Sequence, residues 1–377
     1  MKVKVVIGAN FGDEGKGLMT DYFCEQAFNP MVVLSNGGPQ RGHTVVTPGG
    51  GKHVFKHFGS GSFCNYCTTP TYISSNYIVN PIVFNAERRE LGFTPRCYVS
   101  PFCRVTTPWD MMANIIIEES RAERHGSCGM GIWETVLRTE ALVSGLYWSN
   151  ILDFDIDTIW QYYKYRFSGA DITLSDEWKE TFYDLNIVKK FKSDIKEMYN
   201  VVKTEEDPLY FEDTIVIESG QGLLLSDDNV EYYPNVTASN TGLKSAIDCM
   251  NLLRLRGYWW SDIEVCYVSR TYMTRHGNGR FDTECDPADI SESIMPDKTN
   301  VYNPHQGFLR YGRLDIEDMI SRCKKDFDDN IGCFADNAHM SIAFTHADEY
   351  EPQSLKKYAD YISRGETRCD VEKVVED

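Results

Sequence analysis

Three residues in two glycine-rich segments, Asp13, Lys16 and His43, have the types and spacing that chemistry on a phosphate needs. The first segment runs Gly8-Ala-Asn-Phe-Gly12-Asp13-Glu14-Gly15-Lys16-Gly17 and directly follows a short apolar run. Glycines let a backbone approach a phosphate closely, a following helix offers free N–H groups, and Lys16 adds a cation. The spacing is close to a P-loop but departs from it. G-x-x-x-x-G-K-[ST] needs Ser or Thr after the lysine, and Gly17 stands there. Asp13 is a carboxylate among phosphate ligands, which suits a Mg²⁺ ligand or a general base. The second segment, Asn36-Gly-Gly-Pro-Gln40-Arg41-Gly42-His43-Thr44, carries a histidine that can donate to a phosphoryl oxygen or act as an acid.

These segments must be held by a scaffold. Strand-like runs occur at Val3–Ile7, Met31–Leu34, Ile215–Glu218, Ile263–Ser269 and Met340–Phe344. Helical patterns lie between them at Leu18–Ala27, Trp109–Arg121, Thr241–Arg256 and Leu314–Lys325. Strands separated by helices predict an α/β fold, a mostly parallel sheet flanked by helices, with ligands in the loops at the strands' carboxyl ends. Residues 140–212 are rich in aromatics and acids (Trp148, Trp160, Tyr162, Tyr163, Tyr165, Trp178) and carry no glycine-rich motif. They read as a helical subdomain or cover within a single domain spanning 1–377. The polar end, Glu349–Asp377, reads as a short helix at Ser354–Ser363 followed by a fraying tail.

Composition narrows the function classes. A chain of 377 residues with 42% hydrophobic and 25% charged residues is that of a globular protein with a sizeable core. A net charge of −18 argues against a nucleic-acid partner, which needs a basic face. No apolar run approaches the roughly 18 residues of a membrane span, and the N-terminus is too short for a signal peptide. The twelve cysteines are scattered, so they read as reduced thiols in a cytoplasmic protein. Cys64-Asn-Tyr-Cys67 alone has metal-like spacing, without a second pair.

Taken in order, the motifs resemble adenylosuccinate synthetase. Gly12-Asp-Glu-Gly-Lys-Gly17 is followed by Gly42-His43-Thr44, then by Gly126-Ser-Cys-Gly-Met-Gly-Ile132, similar to that family's nucleotide loop. Glu218-Ser-Gly-Gln221-Gly resembles its E-G-x-Q-G. Tyr233-Pro-Asn-Val-Thr237-Ala-Ser-Asn240 resembles Y-P-x-V-T-S-S-N. Thr274-Arg275-His-Gly277-Asn-Gly279-Arg-Phe-Asp-Thr283-Glu284 resembles T-R-x-G-x-G-P-F-P-T-E. Each motif alone is weak; six in one order are specific.

The resemblance implies a ligase that uses ATP or GTP and Mg²⁺ to phosphorylate O6 of a 6-oxopurine nucleotide, IMP or dGMP, before aspartate's nitrogen replaces it. It implies that Asp13 takes the N1 proton and binds Mg²⁺ together with the Gly42 carbonyl, and that His43 stabilises the moving phosphoryl group. Gly12, Glu14, Gly15, Lys16, Gly17, Gly42, Thr44 and Asp348 would hold the triphosphate nucleotide. Gln40, Ser127, Cys128, Gln221 and Thr237 would surround the purine nucleotide, and Arg138 would reach its phosphate from the other subunit of a homodimer. Asn303, Gln306, Arg310 and Arg275 would meet the amino acid.

The departures concern specificity. The family's arginine-rich T-T-G-R loop becomes Asn303-Pro-His-Gln306-Gly-Phe-Leu-Arg310, which thins the partners for aspartate's two carboxylates. The guanine-reading T-K-x-D becomes Thr345-His346-Ala347-Asp348, and Ser363-Arg364-Gly365 stands where a later nucleotide loop would come. The purine-proximal Asn of N-A-G-H-T is Gln40. These changes suggest a divergent branch, with phage enzymes that use dGMP among the candidates. A different amine donor, a P-loop-like nucleotide kinase and a catalytically silent nucleotide sensor are the competing readings. The kinase leaves the later motifs unexplained. The sensor would bind nucleotide without releasing phosphate.

Overall fold

The computed structural model describes residues 1–377 apart from 123, 144, 205–212, 256, 296–301, 303–305 and 376–377. Its centre is a ten-stranded sheet. The order from one edge is Val371–Lys373, Tyr361–Ser363, Ala338–Thr345, Asp262–Arg270, Lys2–Gly8, Thr214–Gly222, Pro30–Leu34, Thr71–Ile73, Cys97–Val99 and Lys203–Thr204. Every pairing in it is parallel except the first, where Val371–Lys373 runs against Tyr361–Ser363.

The alternation of side chains along a strand explains why the sheet is buried on both faces. Val3, Val5 and Ile7 point into one apolar cluster with Met31, Val33, Leu243, Met250 and Met319. Val6, Val32 and Leu34 point into the other, with Phe23, Trp109, Trp148 and Phe191. Helices Lys16–Gln26, Pro108–Ser120, Leu243–Arg254 and Ile316–Asn330 fall where helical periodicity places them, with ends shifted by a few residues.

Residues 140–212 contribute helices Ile156–Gly169, Asp176–Phe182 and Leu185–Tyr199, each opened by an aspartate or serine cap (Asp155, Ser175, Asp184). Trp148, Tyr163, Phe182 and Phe191 bury into the same cluster as Val32 and Leu34, and the Trp109 indole donates to the Phe182 carbonyl at 2.7 Å. The strand Lys203–Thr204 that follows joins the main sheet.

The C-terminal end differs from expectation. Instead of a helix over Ser354–Ser363 there is a single 3₁₀ turn, Leu355–Lys357, then the strand Tyr361–Ser363. Tyr361 and Ile362 are buried, so sheet pairing and burial override local helical preference. The tail does not fray up to residue 375: Val371–Lys373 closes the sheet edge, and Arg364 bridges Glu351 and Glu372, both at 2.8 Å.

Candidate active site

Five parallel strands end side by side on one rim: Lys2–Gly8, Thr214–Gly222, Pro30–Leu34, Asp262–Arg270 and Ala338–Thr345. The motif segments follow these ends, where an open sheet binds its ligands. The first loop is gripped by its carbonyls. Arg270 Nε donates to the Asp13 carbonyl at 2.6 Å, Arg322 Nε to that of Ala9 at 3.2 Å, Thr345 Oγ1 to that of Glu14 at 2.8 Å, and Lys16 Nζ to that of Gly12 at 2.6 Å. Gly15 has φ 92°, and a side chain there would meet the Thr345 methyl at 2.9 Å.

Glu14 takes the place that a phosphate oxygen has in such loops. Its Oε1 accepts the N–H groups of Asn10 (3.1 Å) and Gly12 (2.6 Å), and its Oε2 pairs with Lys16 at 3.2 Å. Lys16 is therefore 2% exposed and turned inward, away from the cleft wall. Gly17 explains the departure from a P-loop. A Cβ there would lie 2.7 Å from the Thr44 carbonyl, because the strand His43–Val46 packs on the helix start. No room exists for the Ser or Thr of a true P-loop. Gly15, Gly17 and Thr44 frame the loop from behind, while the Asp13 side chain is left facing the cleft, 3.7 Å from His276 Nε2.

His43 is held by a residue that carried no role in the sequence reading. Its Nδ1 lies 2.5 Å from Oε1 of Glu218, whose other oxygen meets Arg41 Nη1 at 3.1 Å and the Ser60 N–H at 3.1 Å. Burial would raise the Glu218 carboxyl, but Arg41 and His43 more than offset this and hold it at about 2. Burial, and after it Arg41, pulls the His43 imidazole down to about 4 against the opposing pull of Glu218. The ring is then neutral near pH 7. An ionised Glu218 can only accept, so the ring proton sits on Nδ1. One signal could have found Glu218: an acid at the end of a strand buried on both faces needs a cation beside it.

The cleft itself has a volume of about 530 Å³. Gly12, Asp13, Gln40, Gly42, His43, Ser127, Cys128, Gln221, Thr237, Arg275 and Gln306 all reach its wall, so most of the expected purine set is brought together. Both amide atoms of Gln40 and Oε1 of Gln221 are buried without a hydrogen-bond partner. Gln221 also adopts φ 57°, rare for a residue with a side chain. Ser127 Oγ donates to Asn114 at 2.7 Å, and burial pushes the Cys128 thiol up, so it stays protonated.

Other expected residues lie elsewhere or are already engaged. Arg138 is a correction: it is fully buried, bound to Asp110 through Nε (2.7 Å) and Nη2 (2.9 Å) and to the Val105 carbonyl, and cannot reach across to another subunit. Arg310 is committed to Glu284 and to the carbonyls of Gly277 and Gly279. Arg275 lies 4.4 Å over the Phe11 ring; burial, then Arg310, brings it down to about 10. Asp348 is exposed and lies outside the cleft wall; Ser363, which is buried, and Arg364, which is tied to Glu351, lie outside it too. Asn303 lies outside the described residues.

Asp13 and the Gly42 carbonyl are the hard oxygen donors expected for Mg²⁺, and both residues line the cleft. Among the described residues no group of three or more His, Cys, Asp or Glu is placed to cage a metal. The set fits an ion that takes one or two protein oxygens and completes its shell with phosphate and water, as Mg²⁺ does. Cys64 is buried with Sγ on Asp21 Oδ1 at 3.1 Å, whereas Cys67 is exposed, so the two do not form a thiolate pair. Among the described residues no helix is long and apolar enough to cross a membrane.

Comparison with known proteins agrees with this arrangement. The chain is similar to adenylosuccinate synthetases of Microcystis aeruginosa (30% identical, 74% of this chain and 62% of the relative) and Francisella tularensis subsp. novicida (26%, 74% and 65%). It thus spans less than two thirds of the length of these relatives. In fold it matches the succinoaminodeoxyadenylate synthetase of cyanophage S-2L, solved with dGMP and dATP as energy donor. The TM-score is 0.69 at 16% identity, over 100% of this chain and 96% of that one. It also matches fully ligated adenylosuccinate synthetase from Plasmodium falciparum, with TM-score 0.68 at 20% identity over 100% and 88%. The family model for adenylosuccinate synthetase aligns with residues 5–319, most of the chain, and on that match the protein belongs to the adenylosuccinate synthetase family.

Proposed function

We propose that the protein is a carbon–nitrogen ligase that phosphorylates O6 of a 6-oxopurine nucleotide, IMP or dGMP, with ATP or GTP, and replaces that oxygen with the amino group of aspartate. One observation carries the reading. Asp13 and the Glu218-held His43 face a single cleft lined by Gln40, whose amide has no partner, and Gln221, whose Oε1 has none. Buried amides without partners are costly unless a ligand with matching donors and acceptors completes them. The edge of a purine has those groups.

The chemistry follows from the leaving group. An amine cannot displace the oxygen of a 6-oxopurine, because oxide leaves poorly. The Asp13 carboxylate takes the N1 proton, so electrons move onto O6, which attacks the γ-phosphorus, and the nucleoside diphosphate leaves. The aspartate nitrogen then adds at C6, loses a proton, and inorganic phosphate departs. Neutral His43 presents Nε2 to the cleft. When anionic phosphate oxygens approach, the ring takes up a proton from water at Nε2 and donates it in a hydrogen bond to them, with the Glu218 carboxylate stabilising the resulting imidazolium. Asp13 and the Gly42 carbonyl would hold Mg²⁺, which when bound offsets the phosphates' charge.

Glu14 shapes the triphosphate step. It occupies the loop amides, so the incoming phosphates must either displace its carboxylate from Asn10 and Gly12 or use other donors. The dGMP-bound cyanophage enzyme supports keeping a guanine nucleotide beside IMP among the substrates. The test is phosphate release with Mg²⁺ and aspartate, crossing ATP and GTP against IMP, dGMP and GMP, with a mass spectrum of each product. Release that requires both a 6-oxopurine nucleotide and aspartate, with a succinyl adduct, is the expected result. Release without an aspartate requirement would point to another amine donor, and no release in any combination would leave a nucleotide-binding protein without turnover.

A further inference from the structure

We propose that Arg166, carried by the helix Ile156–Gly169, is the cation that binds the 5′-monophosphate of the purine substrate, supplied from within the same chain. The inference rests on the ligase reading above and adds to it a residue from a region where no motif matched. Arg166 reaches the cleft wall alongside Gly131, Ile132, Trp133 and Glu134. Its Nη2 meets Glu134 Oε1 at 3.1 Å, while its Nε is buried with no hydrogen-bond partner.

The other arginines on the wall are more fully spent. Arg41 serves Glu218 and the carbonyls of Lys56 (3.0 Å) and Phe58 (2.8 Å). Arg275 also keeps a buried Nε without a partner, but it is stacked on Phe11 and gives Nη1 to the Arg280 carbonyl. Arg138, the expected phosphate ligand, is locked on Asp110. Arg121 remains as a second cation at the same end. It pairs with Glu118 at 3.1 Å, lies against His125, and its charge is felt at Glu134.

Two features make this end of the cleft suit a phosphate. The helix Ile132–Ala141 opens here on Gly131, and no side chain caps its first turn, so its N–H groups and positive dipole end face the same space. The Gln40 amide is also here: a Cβ at Gly38 would sit 2.9 Å from both Gln40 Oε1 and Ile132 Cδ1. With its base at Gln221, the nucleotide places its 5′ phosphate at the end of the same cleft lined by Ile132 and Arg166. Glu134, whose carboxyl is raised by burial against the lowering pull of Arg166, holds one edge of the guanidinium and leaves the rest for the ligand.

The test titrates IMP and dGMP, and the matching nucleosides inosine and deoxyguanosine, into the full chain by calorimetry. Arg166→Ala should weaken monophosphate binding about 10- to 100-fold, as loss of a charge-assisted contact does, and leave nucleoside binding unchanged. In turnover, it should raise KM for the monophosphate and not for the triphosphate, and Arg166→Lys should fall between. The double variant Glu134→Gln, Arg166→Ala avoids stranding a buried carboxylate and should show the same pattern if the single variant folds poorly. Mixing Arg166→Ala with His43→Ala protein should restore no turnover, because both residues serve one cleft of one chain. Unchanged monophosphate affinity, equal loss for nucleoside and nucleotide, or recovery on mixing would each overturn the proposal. A wild-type protein that binds neither monophosphate would overturn the ligase reading itself.

Discussion

The role proposed for His43 rests on Glu218, a buried carboxylate behind the ring. It fixes the His43 tautomer by accepting from Nδ1, and Arg41 and Ser60 fix Glu218 in turn. Glu218→Gln would keep the size but replace one acceptor with a donor, so the ring would be free to take the wrong tautomer. The expected outcome is a fall in kcat of about 100-fold with little change in either nucleotide's KM. His43→Ala and Asp13→Ala should each cost about 10²- to 10⁴-fold in rate; loss of Asp13, whose side chain faces the cleft, should leave stability intact, whereas loss of His43 removes a partner of the buried Glu218 and should cost some stability too. Steady-state kinetics on the three variants checks this, and normal turnover by any one would remove its assigned role. At the residue scale, Asp13 and His43 stood out by type and glycine context, whereas Gln40 and Gln221 were singled out only through the family resemblance; the structure brings all four to one cleft. Glu218 and Arg166 did not stand out, because a buried ion pair and a long-range approach leave no local pattern.

At the scale of elements, strands and helices were readable because burial on both faces gives continuous apolar runs and helix faces give a 3.6-residue period. What escaped was pairing. The strand Tyr361–Ser363 exists because Ala338–Thr345 offers it an edge, and nothing in Ser354–Ser363 itself specifies that. Arg138 escaped for the same reason. Its partner Asp110 sits in the first turn of the neighbouring helix, in a capping box with Thr107, and Tyr163 Oη also donates to that carboxylate. The pair ties helices Pro108–Ser120 and Ile132–Ala141 together and is fully buried. Arg138→Ala should therefore cost about 3–5 kcal/mol of stability by stranding Asp110. Denaturant unfolding would measure it, and a loss well under 1 kcal/mol would show that water enters the gap. Gly17→Ser belongs at this scale too. Its side chain would press on the Thr44 carbonyl, so about 1–3 kcal/mol should be lost, and the P-loop hydroxyl should bring no gain in turnover.

The whole molecule sets the candidate site's rim on a frame that contains buried charge, and this predicts how it responds to acid. Glu87 sits at the base of the second loop and accepts backbone N–H groups from Lys56 at 2.8 Å and His57 at 2.6 Å, beside the rings of His53 and His57. Burial would raise its carboxyl, but His53 and His57 overcome this and hold it at about 2. His57 itself is pulled below its usual range, chiefly by burial. In the unfolded chain His57 gains a proton below about pH 6.5 and Glu87 below about pH 4.5, ahead of the folded state in both cases. The unfolded state thus binds more protons across this range, and acid shifts the equilibrium toward it. Stability should be at its plateau above pH 6.5, begin to fall as His57 titrates, and fall more steeply between pH 4.5 and 2 as Glu87 and the similarly depressed Glu218 are protonated. Glu87→Gln should lower stability at pH 7, because an amide serves the backbone donors less well, yet flatten the acid limb, because one titrating group is gone. Unfolding curves from pH 7 to pH 3 on both proteins separate the two effects, and an unchanged slope in the variant would assign acid sensitivity to groups other than Glu87, such as Glu218 and His57.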